Sequence, residues 1–291
     1  MGKAARDIAR ACIMACLAIG VFVAAETCVY YILNTFGVNT DIYAGLYALI
    51  ATTATLVFLL LFLKLSENGN SGFIKIQKPK AKDTGLAIFV ALGLLGVVTM
   101  YMFIANQISE WYESMKSAME EYSQNVDRYS DVEQSAVPLW DSILYICVTT
   151  FLVPASEELI FRGAVLGQMR KILNVPFSII VSALVFGVMH GVSIHIGYAV
   201  ICGLVLGCVY VYTNNLFESY LVHMIFNLFG SGIPTFLSLE ALNFNTDVAN
   251  NISYWLLMAE YFCMIPGSVA FVMLWYRYAK AREEAKANEK V

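Results

Sequence analysis

The sequence predicts an all-α, polytopic membrane protein with about eight transmembrane helices and a polar site inside the helix bundle. Hydrophobic residues make up 59% of the 291 positions and charged residues only 14%, and the mean hydropathy is +0.67. A soluble domain is far less apolar than this. The apolar residues are gathered in runs of about 20, the length that crosses the hydrocarbon core of a bilayer as a helix.

The N-terminal part of the chain contains three of these runs, at 8–33, 42–63 and 84–105. The connection at 64–82 carries five lysines together with glycine and proline, and we expect a flexible cytoplasmic loop there. The segment 107–139 holds seven acidic residues against one lysine and one arginine. We expect this segment to form an external amphipathic helix that lies over the bundle and exposes a solvated acidic face.

Five further apolar runs follow, and each is long enough to be read as a helix. They cover roughly residues 140–168, 177–192, 196–213, 217–236 and 254–276. Lysine and arginine are concentrated in connections that eight helices would place on one side of the membrane. By the positive-inside rule that side is cytoplasmic, so both termini of this multi-pass protein of the cell membrane are predicted to be cytoplasmic.

The order of these features divides the chain into three regions. Residues 1–139 contain the first three helices, the basic loop and the acidic segment. Residues 140–236 contain the polar motifs described below, and residues 237–291 contain the last helix and a charged tail. The sequence shows no internal repeat.

Charge and cysteine content exclude several classes of protein. The net charge is −4 and the chain has no basic block, so nucleic acid is not indicated as a partner. All seven cysteines lie in apolar segments without a CxxC pair, which argues against a disulfide framework or a zinc ribbon. The partner that composition does predict is the lipid bilayer.

Two adjacent glutamates, Glu157 and Glu158, lie in the fourth apolar run and are followed by Arg162. An ionisable group near the middle of a membrane costs about 2.5–3.5 kcal/mol on insertion scales, so such groups are usually paired and functional. On a helix Glu158 and Arg162 share a face and can pair, whereas Glu157 points about 100° away, without a local cation. Pro154 lacks an N–H and leaves a backbone carbonyl available to a polar site. The simplest alternative is that these charges mark the aqueous boundary of the helix.

All three histidines, His190, His195 and His223, follow the glutamates in the chain. An antiparallel hairpin that turns at the intervening basic residues brings Glu157 and His190 to a similar depth. His223 and Asn227 are four residues apart on one predicted helix and project from one face. A single buried histidine is usually a hydrogen-bonded core residue, but four converging polar groups in apolar sequence predict a site.

Three spaced motifs therefore occur together, in order, on successive predicted helices. They are Glu157-Glu158-x-x-Phe161-Arg162, Phe186-x-x-x-His190 and His223-x-x-x-Asn227. In this respect residues 140–235 resemble the CPBP family of intramembrane proteases, which includes the CAAX prenyl endopeptidases and the bacterial Abi-type proteins linked to bacteriocin self-immunity. His195 matches none of the motifs and is left outside the predicted site.

The resemblance implies an intramembrane endopeptidase that cuts a membrane-associated or peptide substrate near the cytoplasmic side. Peptide hydrolysis needs a water, a base to deprotonate it and donors for the developing oxyanion. Glu157 is the candidate base, His190 could hold the same water or shuttle its proton, and His223 and Asn227 are candidate oxyanion donors. The predicted catalytic site is thus Glu157, Glu158, His190, His223 and Asn227, with structural support from Phe161, Arg162 and Phe186; Glu158 paired with Arg162 would orient its helix.

The same residues leave other mechanisms and functions open. A divalent metal such as zinc, held by Glu157, His190 and His223, would have the His₂Glu ligand set of several catalytic zinc sites. The HExxH helix that usually supplies two such ligands is absent, so glutamate catalysis without a metal cofactor is favoured. A non-catalytic scaffold or bacteriocin-immunity protein could bind a peptide or partner, but it needs no unpaired base. A transporter would be expected to show inverted repeats, which the sequence lacks.

Overall fold

A computed structural model describes residues 2–66, 75–127, 136–191 and 193–288, and these residues form helices without any β-strand. The helices are α1 (Lys3–Thr35), α2 (Ala44–Ser66), α3 (Ala81–Ser109), α4 (Glu113–Asp127), α5 (Leu139–Met169), α6 (Val175–Val188), α7 (Ser193–Thr213), α8 (Leu216–Leu237) and α9 (Thr246–Asn288). In this described part, seven helices are long and apolar enough to cross a membrane, and α6 is a shorter apolar helix. The predicted all-α polytopic fold is therefore confirmed.

Helices α3 and α9 form the most extensive helix pair in the described ranges. Their backbones approach closely at glycine, since a Cβ added to Gly93 would lie 2.7 Å from the Cα of Gly267. Small residues permit such approach between membrane helices, whose association depends on packing. Arg277 of α9 pairs with Asp83 of α3, so the two helices are antiparallel and the start of α3 lies beside the last part of α9.

The described residues 75–80 of the lysine-bearing connection before α3 lie at this same end of the bundle. The backbone N–H of Leu216 donates to the carbonyl of Lys75 at 2.8 Å, and the side chain of Asn215 accepts from the backbone of Gln77 at 3.0 Å. The start of α8 is thereby fixed beside the start of α3. We call this end of the bundle the basic end, and the opposite end, where α3 ends and α9 begins, the distal end.

Several observed boundaries differ from the predicted ones. The helix predicted to reach residue 192 ends at Val188, because Gly191 adopts a φ of +90° in the following turn, a conformation that glycine takes without strain. His190 consequently lies in a turn and not on the helix. The last helix was predicted at 254–276, but α9 runs from Thr246 to Asn288, since its charged end is rich in the good helix formers alanine, glutamate and lysine.

The predicted amphipathic helix over 107–139 corresponds in part to α4. This helix covers Glu113–Asp127 and packs against α3 and α7 at the distal end. Its exposed side carries the carboxylates of Glu113 and Glu120. Residues 128–135 of the predicted segment lie outside the described residues.

Candidate active site

Helix α5 carries both glutamates in its middle, between two segments of π-helix, Val148–Leu152 and Leu159–Leu166. The hydrogen bonds of a π-helix span five residues, and such segments are frequent at functional sites. At 1.5 Å per residue, Glu157 lies about 27 Å from the start of α5 and about 18 Å from its end. The glutamates are therefore inside the bundle and not at a helix boundary.

Glu158 is fully buried, and its carboxylate is bound on three sides. Its Oε1 atom lies 3.0 Å from Nη1 of Arg162, which is the ion pair expected from the i,i+4 spacing. Nδ1 of His223 lies 2.9 Å from the same oxygen, and Ser219 donates its hydroxyl to Oε2 at 2.5 Å. A charge buried this deeply must be paired and hydrogen-bonded, so the network holds both Glu158 and the ring of His223 in place.

Phe186 packs between the guanidinium group of Arg162 and the imidazole of His190. The guanidinium carbon lies 4.6 Å from the centroid of the Phe186 ring, an arrangement that attracts a cation to the ring face. The His190 ring centroid is 4.4 Å from the same ring, and Phe161 meets it edge-on at 4.9 Å. These contacts tie α5 to the end of α6 and support the turn that carries His190.

The side chain of Glu157 points in a different direction from that of Glu158 and faces the imidazoles of His223 and His190. Its Oε2 lies 3.5 Å from Nε2 of His223, and its Oε1 lies 4.0 Å from Nε2 of His190. The other ring nitrogen of His190, Nδ1, is 2.7 Å from the carbonyl oxygen of Phe186. Because a carbonyl can only accept, Nδ1 carries a proton, and in the neutral form of the ring this leaves Nε2 as an unprotonated acceptor facing Glu157.

Asn227 is held by a carbonyl that the π-helix leaves free. The N–H of Val153 donates to the carbonyl of Val148, five residues earlier. In the same five-residue register, the carbonyl of Thr149 would accept from the N–H of residue 154. Because this residue is Pro154, which has no N–H, the carbonyl of Thr149 has no partner in that register. Nδ2 of Asn227 donates to Thr149 at 3.0 Å instead. The free carbonyl expected from Pro154 thus positions Asn227.

A cavity of about 700 Å³ joins these groups and has a size suited to a bound segment of peptide. Its wall contains four of the five predicted catalytic residues, Glu157, His190, His223 and Asn227, together with Phe186. It also contains Tyr122 of α4 and Ser253 near the start of α9. The cavity therefore extends from the middle of the bundle towards the distal end.

Polar residues that the motifs leave out line the same cavity. The ring of His195 lies 5.0 Å from that of His190 and stacks on Tyr198 at 4.7 Å. His195, Tyr198 and Cys202 share one face of α7, and all three line the cavity. Their helical spacing is the feature of the sequence from which this shared face could have been predicted. On α9, Glu260 accepts a hydrogen bond from Thr99 at 2.6 Å. Glu260 could have been singled out from the sequence because it is a carboxylate inside the last apolar run.

The alternative zinc ligands are of suitable chemical type but are not arranged as a metal site. Zinc holds imidazole and carboxylate ligands at about 2.0–2.2 Å from a common point. In the described ranges no group of three histidine, cysteine, aspartate or glutamate side chains is placed to hold a metal ion. The chemistry proposed below therefore uses the side chains alone.

Residues 139–229 match the family model of Rce1-like type II CAAX prenyl endopeptidases. The chain is 26% identical over 185 residues to "Putative membrane peptidase YdiL" of Bacillus subtilis, which covers 64% of this chain and 70% of that protein. It is 36% identical over 80 residues to "UPF0177 protein YxdF" of Lactococcus lactis, which covers 27% and 44% respectively. No solved structure matches. These findings confirm the resemblance to the CPBP family and support, in broad terms, a protease within the membrane.

Proposed function

We propose that this chain is an intramembrane endopeptidase of the CPBP family in which Glu157 activates the attacking water. The proposal is carried by the contrast between two adjacent glutamates. Glu158 is fully buried and held by its three partners, whereas Glu157 presents its carboxylate to the cavity between two imidazoles. Glu157 is therefore the carboxylate placed to take a proton from a ligand.

In the first step a water between Glu157 and His190 attacks the scissile carbonyl. One O–H of this water donates to the Glu157 carboxylate and the other to the unprotonated Nε2 of His190. The 4.0 Å separation of these two acceptors leaves room for one bridging water. Glu157 takes the proton as the water oxygen bonds to the carbonyl carbon, and the carbonyl π electrons move onto its oxygen.

Asn227 and His223 would stabilise the oxyanion formed in this step. One N–H of the Asn227 amide is bound to Thr149, and the second remains for a ligand in the cavity. His223 donates from Nε2 when that nitrogen is protonated, and Glu158 holds its ring from the other side. Protonated Glu157 then gives its proton to the amide nitrogen. The oxyanion re-forms the C=O bond as the C–N bond breaks, which releases an amine and a carboxylic acid without a covalent intermediate with the protein.

The shape of the cavity leads us to propose that the substrate enters from the distal end. The cavity reaches Tyr122 and Ser253 there, whereas the lysine-rich connection lies at the basic end. Under the positive-inside rule the distal end faces away from the cytoplasm. This places access on the side opposite to the cytoplasmic cleavage expected from the family resemblance.

The test is cleavage of a quenched-fluorescent peptide library by the detergent-purified protein and by Glu157→Gln. Glu218→Gln is the control, because Glu218 is a glutamate inside the bundle that is hydrogen-bonded to Thr84 and lies outside the cavity. Each variant is first checked for an unchanged thermal unfolding midpoint. We expect cleavage by the wild type and Glu218→Gln, and at least a 10³-fold loss in Glu157→Gln. Equal cleavage by a folded Glu157→Gln would contradict the proposal.

A further inference from the structure

Glu260 is a carboxylate of the cavity wall that the proposed hydrolysis does not use. It lies 14 residues after the start of α9, and so about 21 Å along that helix from the distal end. Its side chain is half-buried and accepts a hydrogen bond from the hydroxyl of Thr99 on α3. The same cavity contains Glu157 and the three histidines of the chain.

The close contact of α3 with α9 fixes this position. A Cβ added to Gly96 would meet the backbone carbonyl of Glu260, so only glycine lets the two helices come this near. Gly93 and Gly267 make the equivalent contact about one turn of α3 further towards the basic end. Glu260 therefore projects from a rigid pair of backbones, as a recognition group must.

Among the described residues, no cationic side chain neutralises this carboxylate. Within the described residues, no lysine, arginine or histidine nitrogen lies within ion-pair distance of Glu260, and Thr99 is its hydrogen-bond partner. A carboxylate in a membrane helix is costly and as a rule pairs with another group or serves a pathway. One hydroxyl leaves most of the acceptor capacity of a carboxylate unused.

The distal end of the bundle adds further negative charge around the route to Glu260. Glu110, Glu113 and Glu120 are exposed at or beside α4, which contributes Tyr122 to the cavity wall. Clefts lined by one sign of charge attract ligands of the opposite sign and raise their rate of association. The exposed face of α4 and the cavity wall thus both carry negative charge, which favours a cationic ligand.

We propose that Glu260 binds a cationic side chain of the substrate, so that the enzyme selects peptides with a lysine or arginine close to the scissile bond. This rests on the proposed function and adds substrate class to it. The cationic group enters through the distal opening and forms an ion pair with the carboxylate of Glu260. Glu157 stays available for water, because the two carboxylates belong to different helices of the wall.

The experiment uses a capped, fluorescent decapeptide of leucine and alanine in which one lysine is moved through the ten positions. Each lysine peptide is compared with its norleucine counterpart, which has the same carbon chain without the ammonium group. Binding to the full-length protein in detergent is measured by fluorescence anisotropy for the wild type, Glu260→Gln and Glu218→Gln. Cleavage of the same peptides is recorded separately, so binding is tested whether or not the peptides are cut.

We expect lysine at one or two adjacent positions to bind the wild type and Glu218→Gln at least about 10-fold more tightly than norleucine, the scale of a charge-assisted contact. In Glu260→Gln the two peptides should bind within about 2-fold of each other. The absence of any lysine advantage in the wild type overturns the proposal, and so does an advantage that persists in Glu260→Gln. Cleavage without a lysine advantage would refute this inference alone, and a lysine advantage without cleavage would count against the proposed function alone.

A second measurement uses only the wild-type protein, so it does not depend on whether a variant folds. A carbodiimide joins a lysine amine to a carboxylate in contact with it, and mass spectrometry locates the resulting amide in the wild-type protein. We expect the best-binding lysine peptide to be joined to Glu260. Joining to Glu157 or to surface carboxylates alone would overturn the assignment.

Discussion

Replacing Arg162 by methionine should destabilise the protein far more than replacing an exposed arginine. Arg162 is 1% exposed and its partner Glu158 is fully buried, with 3.0 Å between them. Removing one member of a buried ion pair leaves the other charge without compensation and typically costs about 3–5 kcal/mol. Ser219 and His223 still bind Glu158 in the variant, so we expect the lower part of that range.

Arg277→Met is the matched control, since Arg277 also pairs with a carboxylate, that of Asp83, but its side chain is 42% exposed. Such a pair contributes about 0–1 kcal/mol. In thermal unfolding in detergent, a cost of about 3–4 kcal/mol at about 2–4 °C per kcal/mol should lower the midpoint of Arg162→Met by roughly 6–16 °C, and that of Arg277→Met by at most about 4 °C.

The double variant Glu158→Gln/Arg162→Met tests whether the loss of stability in Arg162→Met comes from the uncompensated charge of Glu158. Removing both charges abolishes the uncompensated carboxylate, so the double variant should be less destabilised than the two single variants added together, by about 0.5–3 kcal/mol. If Arg162→Met unfolds no more readily than Arg277→Met, or if the single effects simply add, the buried pair does not organise the site as argued here.

Three further predictions concern the surroundings of the site. Asn227→Ala should lower kcat by about 10²–10³ in the cleavage assay, because it removes an oxyanion donor. Gly191→Ala should cost about 1–2 kcal/mol in thermal unfolding and reduce cleavage, since alanine is strained at a φ of +90° beside His190, although nothing lies within 4 Å of the new methyl. Gly93→Ala should lower the unfolding midpoint by forcing α9 away from α3, whereas Gly85→Ala, also on α3 but with open space around it, should not.

Much of the site could be predicted because helical spacing is a local property of the sequence. The i,i+4 relation of Glu158 to Arg162 anticipated an ion pair that the structure contains. An antiparallel hairpin of the two helices brings Glu157 and His190 to the same depth, and in the structure these two side chains face each other. The distinction between the two glutamates followed from the angle between adjacent helical positions.

Other features depend on hydrogen-bond register and on long-range packing, which spacing does not specify. Pro154 indicated a free carbonyl, but only the π-helical register assigns it to Thr149 and brings Asn227 to it. His195 matched no motif, and its place in the cavity results from the short α6 and the turn at Gly191. Glu260 lies far from the motifs in sequence and reaches the cavity through the packing of α9 on α3.

The most direct test of the central claim uses a peptide that the wild-type protein cleaves. Its kcat is measured for the wild type and Glu157→Gln, before and after dialysis against a metal chelator, and again after zinc is restored. We predict that the chelator leaves the wild-type kcat unchanged and that Glu157→Gln stays at least about 10³-fold slower in every condition. Loss of wild-type activity in the chelator with recovery in zinc would contradict water activation by Glu157 alone.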